Sequence, residues 1–454
     1  MPLNQEINRL NTLIDQIPIQ GRPVELMGLS GSDKAFLISK IYHQLRFPIL
    51  VVTPSIKEAQ RFLEDLRFFD HSADAALVLF PPYNILPFKF LSYHSETAAQ
   101  RICALYNIIE SKTPPIVVTS VDALLQRVIP KQEIIDYAEL IVADEEIERN
   151  GFIEKLVAGG YQHASIVEEP GDYCVRGGIV DIYGPLYADP IRIEFFGDTV
   201  ESIRFFSAAS QRTIKPIAEA VVLPAREMVL NKALLLQIIN RIRARAAELE
   251  IPVTEIRKII DLIENGQGFP GIESLIPLIY PELDNVFDYL PKNTLIVSSG
   301  DGDLARAADE SEERIAKNFE ASCQGKKLCV DPSQLYLSWP QVEAMISQKK
   351  PLAFKQLEVQ RGVEPNRSDA MQIRTVVETN ADLSLQLTNY QDKENLLKPL
   401  ADWIDEKRRA GLATFIVCRT KTQAERLKSL LTPYGFQFKL TESFSNAKIE
   451  ANIL

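Results

Sequence analysis

Histidine is scarce and cysteine is scattered: 454 residues hold 4 histidines and 5 cysteines. His43, His71, His94 and His163 stand far apart, with no Cys, Asp or Glu at a ligand spacing, so neither a metal centre nor a histidine-based triad is expected. Cys103, Cys174, Cys323, Cys329 and Cys418 are odd in number, and Cys323 and Cys329 do not have a zinc-knuckle spacing. They read as reduced thiols of a cytoplasmic protein. Basic charge is short as well. Lys+Arg 50 against Asp+Glu 61 leaves −11, which argues against a mainly nucleic-acid-binding surface, because neutralising phosphates needs clustered cations. No apolar run approaches the ~20 residues needed to span a bilayer. The opening MPLNQEINRLNTLIDQ has neither a basic n-region nor an apolar h-region. No internal repeat or low-complexity tract is visible. A soluble protein that is neither exported nor membrane-bound is the expectation.

What is present is a strand–helix alternation. Strand-like PVELMGL, PILVVTP, AALVLFP and PIVVTS alternate with helical KAFLISKIYHQL, SIKEAQRFLEDLRFF (Ser55 as N-cap) and SETAAQRICALYNIIES. That order implies a parallel sheet covered on both faces. The text then turns β-rich, in DYCVRGGIVDIYG, IRIEFFGDTVESIRFF and AVVLP, after a helix GFIEKLVAGG closed by Gly159-Gly160. Helices return in KALLLQIINRIRARAAELE and TEIRKIIDLIENG, then buried strands in TLIVSS and KLCVDP. At roughly 150 residues per domain the length suggests about three domains. A split domain fits the pattern better than three in a row: residues 1–137 and 223–350 as the two parts of one α/β domain, and residues 138–222 as an inserted module. Residues 351–370, polar and without period, read as a linker. Residues 371–454 read as a small α/β domain, with strands in RTVVET, ATFIVCRT and FQFKL. The chain stops on the apolar AKIEANIL, which reads as a cut within a longer protein.

GLSGSDKA, residues 28–35, stands where a phosphate-binding loop would, after a strand and before a helix. A working loop needs a second glycine before its lysine and a hydroxyl after it to hold Mg²⁺. Around Gly28, Gly31 and Lys34 those places are filled by Asp33 and Ala35. A carboxylate ~4 Å from a phosphate repels it by roughly 4 kcal/mol at an effective dielectric of about 20. Ala35 cannot ligate metal. The loop is expected not to bind ATP productively, and no cofactor is expected in this chain.

The inserted module carries a second pattern. In IRIEFFGDTVESIRFF the pair Gly197-Asp198 suits a two-residue type II′ turn. Period-two alternation puts Ile191, Ile193 and Phe195 on one face, joined by Val200, and Arg192, Glu194 and Phe196 on the other. Arg176 falls opposite Tyr173, Val175 and Ile179, and Gly177-Gly178 suggests a bulge or close approach. An arginine–aromatic set on a rigid sheet has the composition of an interface hot spot. Alternatively, Phe196 packs under a loop and the arginines pair with Glu194 or Glu201. Arg241, Arg243 and Arg245 are spread round a helix and read as a solvated face.

The run GYQHASIVEEPGDYCVRGGIVDIYGP…IRIEFFGDTVESIRFF, residues 160–206, resembles the module shared by the excision-repair helicase UvrB and the transcription-repair-coupling factors. LPFKFLSYHSETAAQRICALY, VVTSVDALLQRVIP and QGFPGIESLIPLIYPELDNVFDYLP resemble the same family. The path from FPPYNILPF to the next helix is too short for UvrB's tyrosine-rich hairpin. Where a UvrB-like strand ends in Asp-Glu-Ser-His, this chain has Ser299, Gly300, Asp301 and Gly302, so the Mg²⁺-organising acids are missing. Asp301 and the nearby Asp303 read as loop residues. The resemblance therefore favours the N-terminal part of a transcription-repair-coupling factor over a divergent UvrB-type ATP-dependent helicase. It implies a degenerate RecA/helicase-like parallel-sheet domain split by a β-rich module and followed by a small α/β domain. It further implies that the module binds UvrA through Arg176, Arg192 and Phe196. ATP, Mg²⁺, RNA polymerase and DNA would be engaged by motor and polymerase-binding modules beyond residue 454, which in the family also mask the docking surface until activation.

Overall fold

The computed structural model describes residue 14 and residues 22–69, 76–83, 88–89, 95–266, 268–300, 303–355, 370–375, 380–390, 395–412, 414–418 and 420–440. In chain order the strands are β1 (Val24–Met27), β2 (Ile49–Thr53), β3 (Leu77–Phe80), β4 (Ile116–Ser120), β5 (Glu139–Val142), β6 (Gln162–His163), β7 (Asp172–Arg176) and β8 (Ile179–Ile182). They continue as β9 (Ile191–Phe196), β10 (Thr199–Phe206), β11 (Thr213–Ile217), β12 (Glu219–Val222), β13 (Leu295–Ser299), β14 (Leu352–Lys355) and β15 (Met371–Arg374). The chain falls into two compact units, residues 47–60 with 78–351, and residues 1–46, 61–77 and 352–454. The positions 138, 223 and 371 are not limits of these units.

In the first unit the strand order is β13-β2-β4-β3. β2 runs parallel to both neighbours, with Leu295 and Ile116 opposite Ile49. β2, β4 and β13 are buried at every position, as continuous apolar runs covered on both faces must be. Helix Leu235–Glu248 turns Ile238, Ile239, Ile242 and Ala246 to the core, a 3.6-residue stripe. Ser55 caps the helix that starts at Ile56, its hydroxyl oxygen accepting the Glu58 N–H at 3.3 Å.

Two expectations change here. Leu328, Cys329 and Val330 are buried but form no strand. The Cys329 carbonyl is satisfied by the Arg245 side chain at 2.8 Å instead of by a ladder partner. The three arginines of that helix do not share a solvated face either. Arg243 is exposed, whereas Arg241 donates to the Leu278 and Ile279 carbonyls at 3.1 and 2.8 Å. There a cation meets the orphan acceptors at the end of a short helix.

In the second unit the order is β15-β1-β14, all parallel, with Leu352 and Met371 on either side of Val24. Helix Asp33–Leu45 buries Leu37, Ile38, Ile41 and Tyr42. Helices Lys398–Arg409 and Lys421–Leu431 gather a small core of Ala401, Ile404, Leu431 and Phe436. The strands expected in ATFIVCRT and FQFKL are not formed at residues 414–418 or 436–440. Ile416 and Phe438 pack on the helical core, and Phe438 forms only an isolated bridge. Most of the expected linker, and residues 376–379 of RTVVET, lie outside the described residues.

The β-rich module is a six-stranded sheet in the order β11-β10-β9-β8-β7-β6, antiparallel except between β6 and β7. β5 and β12, which lead into and out of it, pair antiparallel, Glu139 opposite Val222. Helix Arg149–Ala158 lies over one face of the sheet. Its Phe152 and Leu156 share a core with Val180, Ile182, Ile191, Ile193, Phe195, Val200 and Ile203. The fold is therefore mixed α/β, parallel strands with helices plus a separate β-rich sheet, as the sequence pattern implied. Among the described residues no helix is long and apolar enough to cross a membrane, and no group of three or more His, Cys, Asp or Glu could hold a metal ion.

Candidate docking site

Two tight hairpins set the geometry of the open face of the module. Gly177 (φ 58°) joins β7 to β8 and Gly197 (φ 65°) joins β9 to β10. In each turn only the first central residue has positive φ, which fits type II′. Gly178 is required for another reason: a Cβ there would stand 2.6 Å from the Phe195 carbonyl oxygen, the close approach that Gly-Gly suggested. The Arg149 guanidinium donates to the Gly177 carbonyl, and its backbone N–H donates to Asp198 at 3.1 Å, so one residue ties both hairpin tips together.

The alternation of β9 is as expected, with Ile191, Ile193 and Phe195 buried and Arg192, Glu194 and Phe196 on the other face. Phe196 is 78 % exposed, so the reading that it packs under a loop does not hold. Two departures from simple counting change which residues share a face. Ile179 was expected opposite Arg176, but the two-residue turn makes them direct partners, and direct partners share a face. On β10 the register shifts between Val200 and Ser202, leaving Glu201 as the extra residue. This bulge turns Ser202 and Arg204 out beside Glu194 and Arg192, their partners in register.

Electrostatically the face has two clusters. The first centres on Asp181, which is 0 % exposed. Arg192 grips its carboxylate with both ends of the fork, Nε to Oδ1 at 2.6 Å and Nη2 to Oδ2 at 2.8 Å. Arg176 adds Nη2 to Oδ2 at 3.0 Å. Behind them the Arg192 guanidinium stacks 4.6 Å over the buried Phe206 ring. The hydrogen bond and charge of Asp181 push Arg192 above its already high pKa, with burial opposing. Exposure separates the arginines: the Arg192 side chain is 16 % exposed and that of Arg176 51 %. In the second cluster Arg204 forks onto Glu194, and Ser202 Oγ donates to Glu194 at 2.7 Å. The Arg204 and Ser202 hydrogen bonds hold the Glu194 carboxyl below the usual range. The expected pairing of Arg176 and Arg192 with Glu194 or Glu201 is thus replaced by pairing with Asp181. Asp181 and Arg204 were missed by sequence reasoning, although alternation counted outward from the Gly177-Gly178 turn would have put Asp181 on the face of Arg176.

The loop of residues 28–35 is formed but altered. Its Asp33 carboxylate accepts the Ser30 N–H at 3.4 Å, a bond that a phosphate oxygen would make in a working loop. Burial raises the Asp33 pKa, and that bond opposes the rise. Ala35 is 0 % exposed and faces the core of the helix. A Cβ at Gly28 (φ 92°) would lie 2.1 Å from the Thr375 carbonyl oxygen, so backbone already covers that glycine. Gly31 (φ 56°) is open, and the Lys34 ammonium lies 5.7 Å over the Phe354 ring. In the other unit Ser299 ends β13 buried, and Gly300 (φ 110°) sits against Pro54. Asp301 lies outside the described residues. Asp303, expected in a loop, opens helix Asp303–Gln324 and pairs with Arg306 at 2.8 Å.

Residues 140–228, the stretch that builds this face, match the UvrB interaction domain family. Along most of its length the chain is similar to transcription-repair-coupling factors. It is 29 % identical over 437 residues to that of Myxococcus xanthus, covering 94 % of this chain and 36 % of the relative. To that of Escherichia coli it is 27 % identical over 341 residues, covering 74 % and 28 %. To that of Mycobacterium tuberculosis it is 31 % identical over 309 residues, covering 64 % and 24 %. The chain spans about a third of the length of the curated relatives it matches. It is a relative of the transcription-repair-coupling factors of DNA repair, with a UvrB interaction domain at residues 140–228.

Proposed function

We propose that the open face of the module docks UvrA, with Arg176, Arg192 and Phe196 as its contact residues, and that this chain recruits UvrA without hydrolysing ATP. The observation that carries the reading is Phe196, a large aromatic 78 % exposed on a sheet whose other face is packed, on the same face as the half-exposed Arg176. Aromatic and arginine anchors on a rigid support are the residues that dominate binding energy. The match to a UvrB interaction domain supports the choice of partner. The altered loop supports the absence of turnover, since Asp33 and Ala35 stand where a glycine and a metal-binding hydroxyl are needed. In this reading ATP-driven translocation on DNA and contact with RNA polymerase belong to other parts of a longer protein.

Binding of purified UvrA to the 454-residue chain tests the proposal. Arg176→Ala and Phe196→Ala are each expected to weaken it by about 1–4 kcal/mol. Wild-type affinity in both, with unchanged circular dichroism, would sink the docking site. The rival reading, an ATP-dependent helicase of the UvrB type, predicts phosphate release from Mg-ATP in the presence of DNA.

A further inference from the structure

We propose that Asp181 is the positioning residue of the docking face: it meets no partner itself and acts by fixing the direction of Arg176 and Arg192. The proposal rests on the reading that this face binds UvrA. Being 0 % exposed, the Asp181 carboxylate cannot be touched from outside. Among the described residues its three hydrogen bonds, at 2.6, 2.8 and 3.0 Å, come from those two arginines, which reach it from the strands on either side of β8. Arg192 is held against Phe206 as well and is largely covered. Arg176 has a half-exposed side chain held, among the described residues, by one bond at one end of its fork. That single bond selects a direction for a long side chain, so less rotamer freedom is lost when a partner arrives. The remaining donors of the fork suit planar, bidentate recognition of a carboxylate. Two arginine charges against one aspartate leave the cluster net positive, with Ile179 directly paired with Arg176 and Phe196 exposed on the same face. The partner group that fits is a carboxylate next to an apolar side chain.

A double-mutant cycle on UvrA binding tests this, using the full chain as wild type, Arg176→Ala, Asp181→Asn and both together. Each single change is expected to weaken binding about tenfold or more, and the double by little beyond the worse single, because both remove the same contact. A purely structural Asp181 would lower thermal stability yet leave the folded protein binding within about twofold of wild type, and that result overturns the proposal. So does a double variant whose loss is the product of the two singles. Should Asp181→Asn not fold, Asp181→Asn with Arg192→Met replaces the buried pair by neutral groups, a swap that buried pairs often tolerate. In that background Arg176→Ala is expected to change affinity less than about twofold, and a further tenfold loss overturns the idea. Failure of the wild-type chain to bind UvrA removes the docking reading and this proposal together. Loss of binding in Arg176→Ala but not in Asp181→Asn removes only this proposal.

Discussion

Arg176 and Arg192 look equivalent as letters, yet their side chains are 51 % and 16 % exposed. Arg192→Ala takes two of the three bonds that described residues make to a buried carboxylate. Breaking a buried pair costs about 3–5 kcal/mol, and the bond kept by Arg176 puts the expected loss near 3 kcal/mol. Arg176→Ala is an exposed-type loss of about 0–1 kcal/mol. Urea midpoints compare them directly, and equal shifts would contradict this assignment. The practical consequence is that Arg176, and not Arg192, separates binding from folding. Glu194 gives a pH signature. Its pKa is lowered in the folded state, so its contribution is complete above the ordinary value of 4.5 and is lost as pH falls through the lower folded value. Between about pH 6 and pH 3 the wild type is therefore expected to lose more stability than Glu194→Gln, as measured by denaturant midpoints. Burial and the neighbouring Cys323 thiol, 3.7 Å away, push the Cys329 thiol up to about 12. Native alkylation at about pH 8 is expected to spare Cys329 while labelling the part-exposed Cys418, and rapid loss of the Cys329 thiol would count against this packing.

The hairpins show what could be read in advance and what could not. Period-two alternation placed Ile191, Ile193 and Phe195 correctly because each lies within one uninterrupted strand. It misplaced Ile179 because counting through a two-residue turn ignores that the residues flanking it become partners. It gave no hint of Arg204, since a bulge at Glu201 reverses the faces of everything after it. Asp181 went unnoticed for a related reason. It is five residues from Arg176 in the chain and eleven from Arg192, and the three meet only when β8 lies between β7 and β9. Local pattern reports the faces of a strand; pairing decides which charges share a row. The same turn supplies a test. Adding a methyl at Gly178 forces it to 2.6 Å from the Phe195 carbonyl, so Gly178→Ala is expected to destabilise the chain by about 1–3 kcal/mol, as overpacking does. A denaturation midpoint unchanged from wild type would mean that the two strands do not approach so closely.

In both units of the molecule parallel strands are flanked by helices, and in the reading proposed above the loop groups that would hold a nucleotide are changed. Each change is local and separately visible. Asp33 accepts a loop N–H that a phosphate would need, Ala35 is buried, and Gly28 lies against the Thr375 backbone. At the end of β13 stand a serine and a glycine, Ser299 and Gly300, at positions the family resemblance gives to acids. On that reading, a sheet without turnover makes sense if its task is to support the β-rich module, because a docking face needs rigid support more than it needs turnover. The idea can be put as a linkage measurement. A ligand at about one hundred times its Kd stabilises the folded state by about 2.7 kcal/mol, which moves a melting temperature by several degrees. Millimolar Mg-ATP is accordingly expected to leave the melting temperature of this chain unchanged. UvrA in excess is expected to raise it for the wild type and to raise it less for Arg176→Ala. A clear upward shift with Mg-ATP, abolished by Lys34→Ala, would show that the loop still holds nucleotide and would return the helicase reading to first place.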